Sequence, residues 1–495
     1  LKPLLLLNRA CPAVLIGFLV VLTGCGLQKS YDARRVRAEY GRALPSAPVP
    51  SSPKAESGVL PLPLSLSRAI ETAITSNPDM DQAVFRIQRA KAMKKLAGSA
   101  FWPRLGFYTR YTQGDAPSGY LFNKIDQRKL PPDVNFNDPG WFENWETGIN
   151  ARLNLFAGGA DSLKHRMADA ALEASRLDRE AIGNELTAQT VKAYYDILAA
   201  RDLLDIAEDS VGTVSEQLRI MRVQQKGGAA LKSEVLSLEV RLAEAEEEVV
   251  RSRNRLKLAR AALGSLMGLD PAALSEAQAV VVRSRPPEME LPDAYKEGMA
   301  YAMNHRPELE RIRKQLIRSR LQVDAARSSY LPRLDLTGRY YMDDPEMAYD
   351  RDRENWTAGL VFNWDLFAGF SRKARVDEAD AMLREMLAVD RKTTLGVKLD
   401  VKNAYLNREA AMARYEVAAS SVESAEASYR MVKEHYEGGA ATVTRYLEVE
   451  LARRQAHIRK TAAFYDKIQA EADLARAIGW WSGRRLQPED DQMMP

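Results

Sequence analysis

Thiols and imidazoles are scarce in this sequence: 495 residues hold two cysteines and four histidines. Cys11 and Cys25 both fall at the N-terminal end, so nothing downstream can form a disulfide or a thiolate metal cage. His165, His305, His435 and His457 are widely separated, and no His-Glu-x-x-His pair occurs. Phosphate-cradling P-loops and Gly-x-Ser-x-Gly elbows are missing as well. The carboxylates lie in helix-surface charge patterns from which no catalytic pair stands out, and the 16 methionines are scattered in a way that reads as packing. No enzymatic activity, cofactor or metal site is therefore expected. Charge of one sign is lacking too. The 71 basic and 67 acidic residues leave +4, which gives no electrostatic case for nucleic acid. Proline is absent from residues 160–226, where glycine appears only at Gly183 and Gly212. An uninterrupted helix there would run about 100 Å at about 1.5 Å per residue, longer than a globular core requires.

The sustained apolar run at the N-terminus, residues 13–22, is too short to span a bilayer. With Lys2 and Arg9 ahead of it, it reads as a signal peptide over residues 1–24. The run ends in Leu22-Thr23-Gly24-Cys25, which resembles the lipobox of bacterial lipoproteins and implies a lipid on Cys25. Such a lipid anchors a chain without spanning the membrane. Removing Lys2 and Arg9 lowers the net charge from +4 to +2. Residues 25–64 include Pro45, Pro48, Pro50, Pro53, Pro61 and Pro63 and read as an extended linker, and residues 483–495 form a polar tail.

What the chain does contain, it contains twice. Asn77-Pro78-Asp79-Met80 returns as Arg306-Pro307-Glu308-Leu309, and Pro103-Arg104-Leu105 as Pro332-Arg333-Leu334, both at an offset of 229. Leu155-Phe156-Ala157-Gly158-Gly159 returns as Leu366-Phe367-Ala368-Gly369-Phe370, and Gly227-Gly228 as Gly438-Gly439, both at an offset of 211. Two constant offsets around one change of length mark a duplicated unit with a longer loop in its first copy. The repeats are placed at residues 65–292 and 293–482.

Each repeat combines long helices with two short strands. After Gly227-Gly228, the apolar positions Val235, Leu238, Leu242, Ala245, Val249, Leu256, Ala259, Leu263 and Leu266 step by threes and fours with one break at Ser252. This is the seam of a coiled coil. The Gly-Gly pairs sit where each helical hairpin must reverse, a place that favours positive φ. Strict alternation marks strands near residues 103–112, 145–156, 332–341 and 356–367. In the second of these, Thr147, Ile149, Ala151, Leu153 and Leu155 alternate with Glu146, Gly148, Asn150, Arg152 and Asn154. Trp102, Trp141, Trp145 and Trp356 lie near strand ends, as interfacial aromatics do. One apolar and one polar face is the pattern of a membrane barrel. Four strands cannot close one, and an open edge in lipid is forbidden, so strands in a membrane require several copies.

These motifs, with Tyr436-x-x-Gly439 followed by Thr442 and Leu447-Glu448-Val449, resemble the outer membrane efflux protein (TolC-like) family over residues 65–480. The lipid-anchored subfamily typified by CusC and OprM is the nearer likeness. The resemblance implies a mainly α fold with a membrane β-barrel, built as a homotrimer whose 12 strands continue into a long α-helical barrel. It implies a passive exit channel in the outer membrane of a Gram-negative bacterium, extending into the periplasm. A periplasmic adaptor (membrane fusion) protein and an inner-membrane pump of RND or ABC type are its implied partners, with outer-membrane lipid around the barrel. Gating is implied at the periplasmic tips. There Tyr436 matches the family's latch tyrosine and Glu234, beside Ser233, its acidic partner, while the latch arginine falls on Ala441. Glu448 matches one acidic constriction ring, and Arg445 stands where a second acid is expected, so Glu234 is expected to pair with Tyr436 or Arg445 in a closed state. The alternative, a lipid-anchored periplasmic coiled-coil scaffold without a pore, explains the helices and the lipobox but not the paired alternating strands.

Overall fold

A computed structural model describes residues 63–271, 274, 282–283, 289–348 and 351–482. The expected signal peptide, Cys25, nearly all of the linker and the polar tail lie outside the described residues. The first repeat begins with α1 (Leu66–Ser76) and α2 (Pro78–Gly98), continues through β1 (Arg104–Gly114), α3 (Pro117–Asp126) and β2 (Phe142–Ala157), and closes with α4 (Ala160–Lys226) and α5 (Lys232–Leu266). The second runs α6 (Tyr295–His305), α7 (Pro307–Ser328), β3 (Arg333–Asp344), β4 (Glu354–Asn363), α8 (Ser371–Glu437) and α9 (Val443–Ile478). Both α4 and α8 are 67 residues long. Among the described residues only the first repeat has an α-helix between its strands. Residues 115–141 separate β1 from β2, whereas residues 345–353 separate β3 from β4, a difference of 18 that equals the change of offset from 229 to 211.

Each long helix serves two tiers. The N-terminal half of α4 meets α2 through Lys94–Asp169 and Arg86–Asp178, and meets α7 through Arg311–Asp178. Its C-terminal half meets α5 through Arg253–Glu208 and Arg222–Glu239, and meets α9 through a hydrogen bond between Arg454 and Ser210. The α5 seam has no break: Ser252 is buried between Val249 and Leu256, keeping the three-four spacing with a small side chain.

The tiers join at a core around Tyr194, Tyr195, Leu198, Leu263, Met267 and Ile468. Here the duplication acts atom by atom. Asn77 Oδ1 accepts from Asp79 N at 2.7 Å and so caps α2, while its amide donates to Leu266 O at 2.9 Å, in the last residue of α5. The equivalent Arg306 donates to Ala477 O at 2.8 Å near the end of α9, and to Asp400 at 2.9 Å. The Asn-Pro and Arg-Pro motifs thus join the start of one helix to the carbonyl end of another. Tyr194 Oη donates to Leu64 O at 3.1 Å and Val282 O at 2.7 Å, and its equivalent Tyr405 donates to Pro292 O at 2.6 Å.

The strands form one antiparallel sheet in the order β1-β2-β3-β4. Within this sheet β1 and β4 each have an unpaired edge. Two details differ from the alternation read in the sequence. A bulge between Asn154 and Phe156 removes Leu155 from the ladder, so Phe156 pairs with Leu334. Strand β4 ends at Asn363 because the chain bends there: Trp364 donates its indole N–H to Tyr330 O at 3.1 Å, and Trp364 and Leu366 lie beyond the ladder.

Candidate functional site

The register sorts the sheet into two chemically opposed faces. Leu105 is opposite Ala151, Phe107 opposite Ile149, Ile149 opposite Tyr340, and Leu336 opposite Leu360. Cross-strand partners share a face, so these side chains make one apolar surface. That surface is uncovered: Phe107 is 75 % exposed, Ile149 51 % and Leu360 65 %. A soluble chain rarely leaves so much contiguous apolar area in water. At the end far from the helices Tyr111 lies 4.7 Å from Trp145, and Tyr340, opposite Ile149, pairs with Trp356. At the helix end, Trp102, Trp364, Phe367 and Phe370 are exposed, with Phe367 and Phe370 edge to face at 5.5 Å. A strand such as β1, with 11 residues, covers about 36 Å at about 3.3 Å per residue, or about 28 Å along the membrane normal when tilted about 40°.

The opposite face is polar. Glu146 accepts from Tyr108 Oη at 2.6 Å and pairs with Arg339, with Arg110 at 3.8 Å. Arg333 donates to Asp335 at 2.9 Å. Asp343 accepts from Asn144 at 2.5 Å and from Asn355 at 3.3 Å. On this face α3 packs against β2, where Phe142 is buried, while the following Gln127, also buried, donates to Glu143 O at 2.8 Å and Asn144 at 2.9 Å. The long loop of the first repeat therefore folds over the polar side of the sheet, at the end far from the helices.

The helical tips carry the residues singled out in the sequence. Only the second glycine of each pair takes positive φ: Gly228 at 77° and Gly439 at 75°, against −81° for Gly227 and −79° for Gly438. Ala229 N donates to Gln224 O at 2.8 Å and Ala440 N to His435 O at 2.7 Å, so both tips close on the same hydrogen bond. The helices that leave them begin differently. Thr442 Oγ1 accepts from Arg445 N at 3.3 Å, whereas Leu231 in the equivalent place has no acceptor, and Glu234 reaches back to accept from Leu231 N at 2.9 Å. Ser233 is exposed, with its carbonyl accepting from Ser237 Oγ at 2.9 Å.

Within one chain, Arg445 pairs with Glu448 at 3.1 Å, one turn along α9, and not with Glu234, which is occupied by the start of α5. Tyr436 is half-buried and stacks on Tyr446 with ring centroids 5.0 Å apart. Burial raises the Tyr436 hydroxyl pKa, and the nearby negative charge of Glu234 raises it further. No hydrogen bond joins Glu234 and Tyr436 among the described residues.

Sequence reasoning missed Tyr446, which is buried in the tip core with Val214, Leu218, Leu238 and Val443 and meets Tyr429 Oη at 3.1 Å. It also missed Tyr194 and Tyr405, although Ala193-Tyr194 and Ala404-Tyr405 repeat at the same offset of 211 as the tip glycines.

Comparison with known proteins agrees with this architecture. The model of the family described as "Outer membrane efflux protein" matches residues 69–269 and 300–480. Protein CyaE of Bordetella pertussis is 25% identical over 461 residues, covering 90% of this chain and 92% of the relative. The pyoverdine export outer membrane protein OpmQ of Pseudomonas putida is 23% identical over 422 residues, 84% of this chain and 85% of its own. The crystal structure of the CmeC outer membrane channel of Campylobacter jejuni superposes with a TM-score of 0.73 at 19% identity, covering 84% of this chain and 85% of that one. With both repeats matched and the TolC-like architecture in place, this chain belongs to the outer membrane efflux protein family.

Proposed function

We propose that three copies of this outer-membrane channel subunit close one 12-stranded barrel, continued into the periplasm by a tube of α4, α5, α8 and α9. The observation that carries this reading is the sheet, with its uncovered apolar face and an unpaired edge on each side. In hydrocarbon those edges must be satisfied, and β1 of one copy against β4 of the next satisfies them. Among the described residues no helix is long and apolar enough to cross a membrane, so membrane insertion falls to the strands. The helical layer has matching needs. Its outer helices α5 and α8 expose Leu236, Val240, Val250, Leu399, Leu406 and Val417, apolar positions that a neighbouring copy covers.

In this reading substrates leave passively and no bond is made or broken, so the chain is not an enzyme. A periplasmic adaptor and an inner-membrane pump of RND or ABC type load the duct, and lipid on Cys25 adds a second hold on the membrane. The tips form the gate, with Glu234 of α5 facing Tyr436 and the Arg445–Glu448 pair lining the constriction. Light scattering of the detergent-extracted protein should give three times the 55.4 kDa chain mass, less whatever processing removes. A monomeric mass would defeat the reading. In planar bilayers Glu234→Ala should raise single-channel conductance several-fold. Unchanged conductance in both Glu234→Ala and Arg445→Ala would remove the tips from gating.

A further inference from the structure

The polar face of the sheet carries Arg104, Arg110, Arg152, Arg333 and Arg339 against only Glu146, Asp335 and Asp343. Counting strand residues alone, five positive and three negative charges leave an excess of two per chain, while Asp126 of α3 lies beside Glu146 and Asp343 at the end far from the helices. All three carboxylates are committed: Glu146 to Arg339 and Arg110, Asp335 to Arg333, and Asp343 to two asparagine amides. Arg104 and Arg152 remain. They are direct register partners on β1 and β2, both exposed, and neither forms an ion pair among the described residues. The carboxylate diagonal to Arg152, Asp335, has both oxygens engaged by Arg333 Nε, at 2.9 and 3.1 Å. Asp161, at the start of α4, is held by Asn154. Cross-strand partners bring their Cβ atoms to about 5 Å, and like charges placed so are destabilising. The sheet therefore holds an arrangement that an anion would relieve, with planar forks suited to bidentate phosphate or carboxylate recognition.

We infer that Arg104 and Arg152 form an anion-binding ring at the helix-proximal end of the barrel, which selects solutes carrying several phosphate or carboxylate groups as they enter it. The inference rests on the trimeric reading above, since three copies convert one arginine pair into six guanidinium groups around a common axis. The neighbouring groups on this face, Asn150 and Thr337, are neutral and offer no competing charge.

The test is block of the reconstituted full-length channel by inositol hexakisphosphate, added on the side that the sheet faces. The expected result is voltage-dependent block that weakens at least tenfold in Arg104→Gln/Arg152→Gln and weakens with added salt. Equal block in the parent and the double variant, or conduction with no block at all, overturns the ring. A monomeric mass in detergent overturns the trimeric pore itself, and the ring with it. Because the double variant could fail to assemble, calorimetry on the unaltered trimer provides a second reading. One hexakisphosphate bound per three chains supports the site, and no binding at millimolar probe overturns it.

Discussion

At the residue scale, the duplication shows which positions obey backbone geometry and which obey a partner. Gly228 and Gly439 need positive φ, and their pairmates do not. Gly439→Ala should therefore destabilise the protein by about 1 kcal/mol, while Gly438→Ala should leave the urea midpoint unmoved. The glycine pairs were legible because a chain reversal has few chemical solutions. Asn77 and Arg306 were legible only in part. Their place before proline announced a helix start, but their acceptors, Leu266 O and Ala477 O, lie far along the chain. The charged cluster around Arg306 was not legible at all. Burial opposes ionisation of Asp400, and the guanidiniums of Arg476 and Arg306 overcome it, holding the carboxyl below the usual carboxylate range. A depressed folded value gives stability that is fully present above the unfolded value of about 3.9 and fades as pH falls through the folded one. Asp400→Asn removes the carboxylate shared by Arg306 and Arg476 and leaves buried Arg306 with Glu308 at 2.9 Å, so it should cost about 2 kcal/mol at neutral pH. The difference between the variant and its parent should shrink as urea midpoints are followed from neutral pH to about pH 3.

At the scale of elements, the long helices and the strands were legible and the joints between them were not. Periodicity reports which face of a helix is apolar, but not which neighbour covers it, and α4 changes neighbours halfway along. The tyrosines at that change were invisible to pattern reading because each is one residue in an already apolar stripe. Their hydroxyls carry the information, since buried hydroxyls are normally hydrogen-bonded. Tyr194→Phe leaves Leu64 O and Val282 O without this donor and should cost about 1–2 kcal/mol. Tyr405→Phe, which releases only Pro292 O, should cost less. Far-UV circular dichroism during chemical unfolding separates the two. The strand limits were blurred at Leu155 and Trp364 because alternation carries on through a bulge and past the last ladder bond.

For the whole molecule, the two faces of the sheet set the rule for tolerance. Ile149 and Asn150 are neighbours in sequence and lie on opposite faces. Ile149→Arg places a charge toward hydrocarbon at a cost of about 2–4 kcal/mol per copy near the midplane, tripled in a three-copy barrel. Asn150→Asp adds a charge toward water, opposite its partner Arg339. The first variant should fail to accumulate in the outer-membrane fraction, while the second should accumulate normally; equal recovery would mean that the apolar face does not meet lipid.

Tyr194 is the 35th of the 67 residues of α4, and Tyr405 is the 35th of the 67 residues of α8. A rigid rod pinned at its middle behaves as a lever about a fulcrum. Each arm is about 50 Å long at about 1.5 Å per residue, so a tilt of about 5° carries the tip about 4 Å and the opposite end just as far the other way. That opposite end runs into a sheet whose ladder bonds resist such travel. Motion at the tips can therefore leave the barrel still only if α4 and α8 bend below their tyrosines.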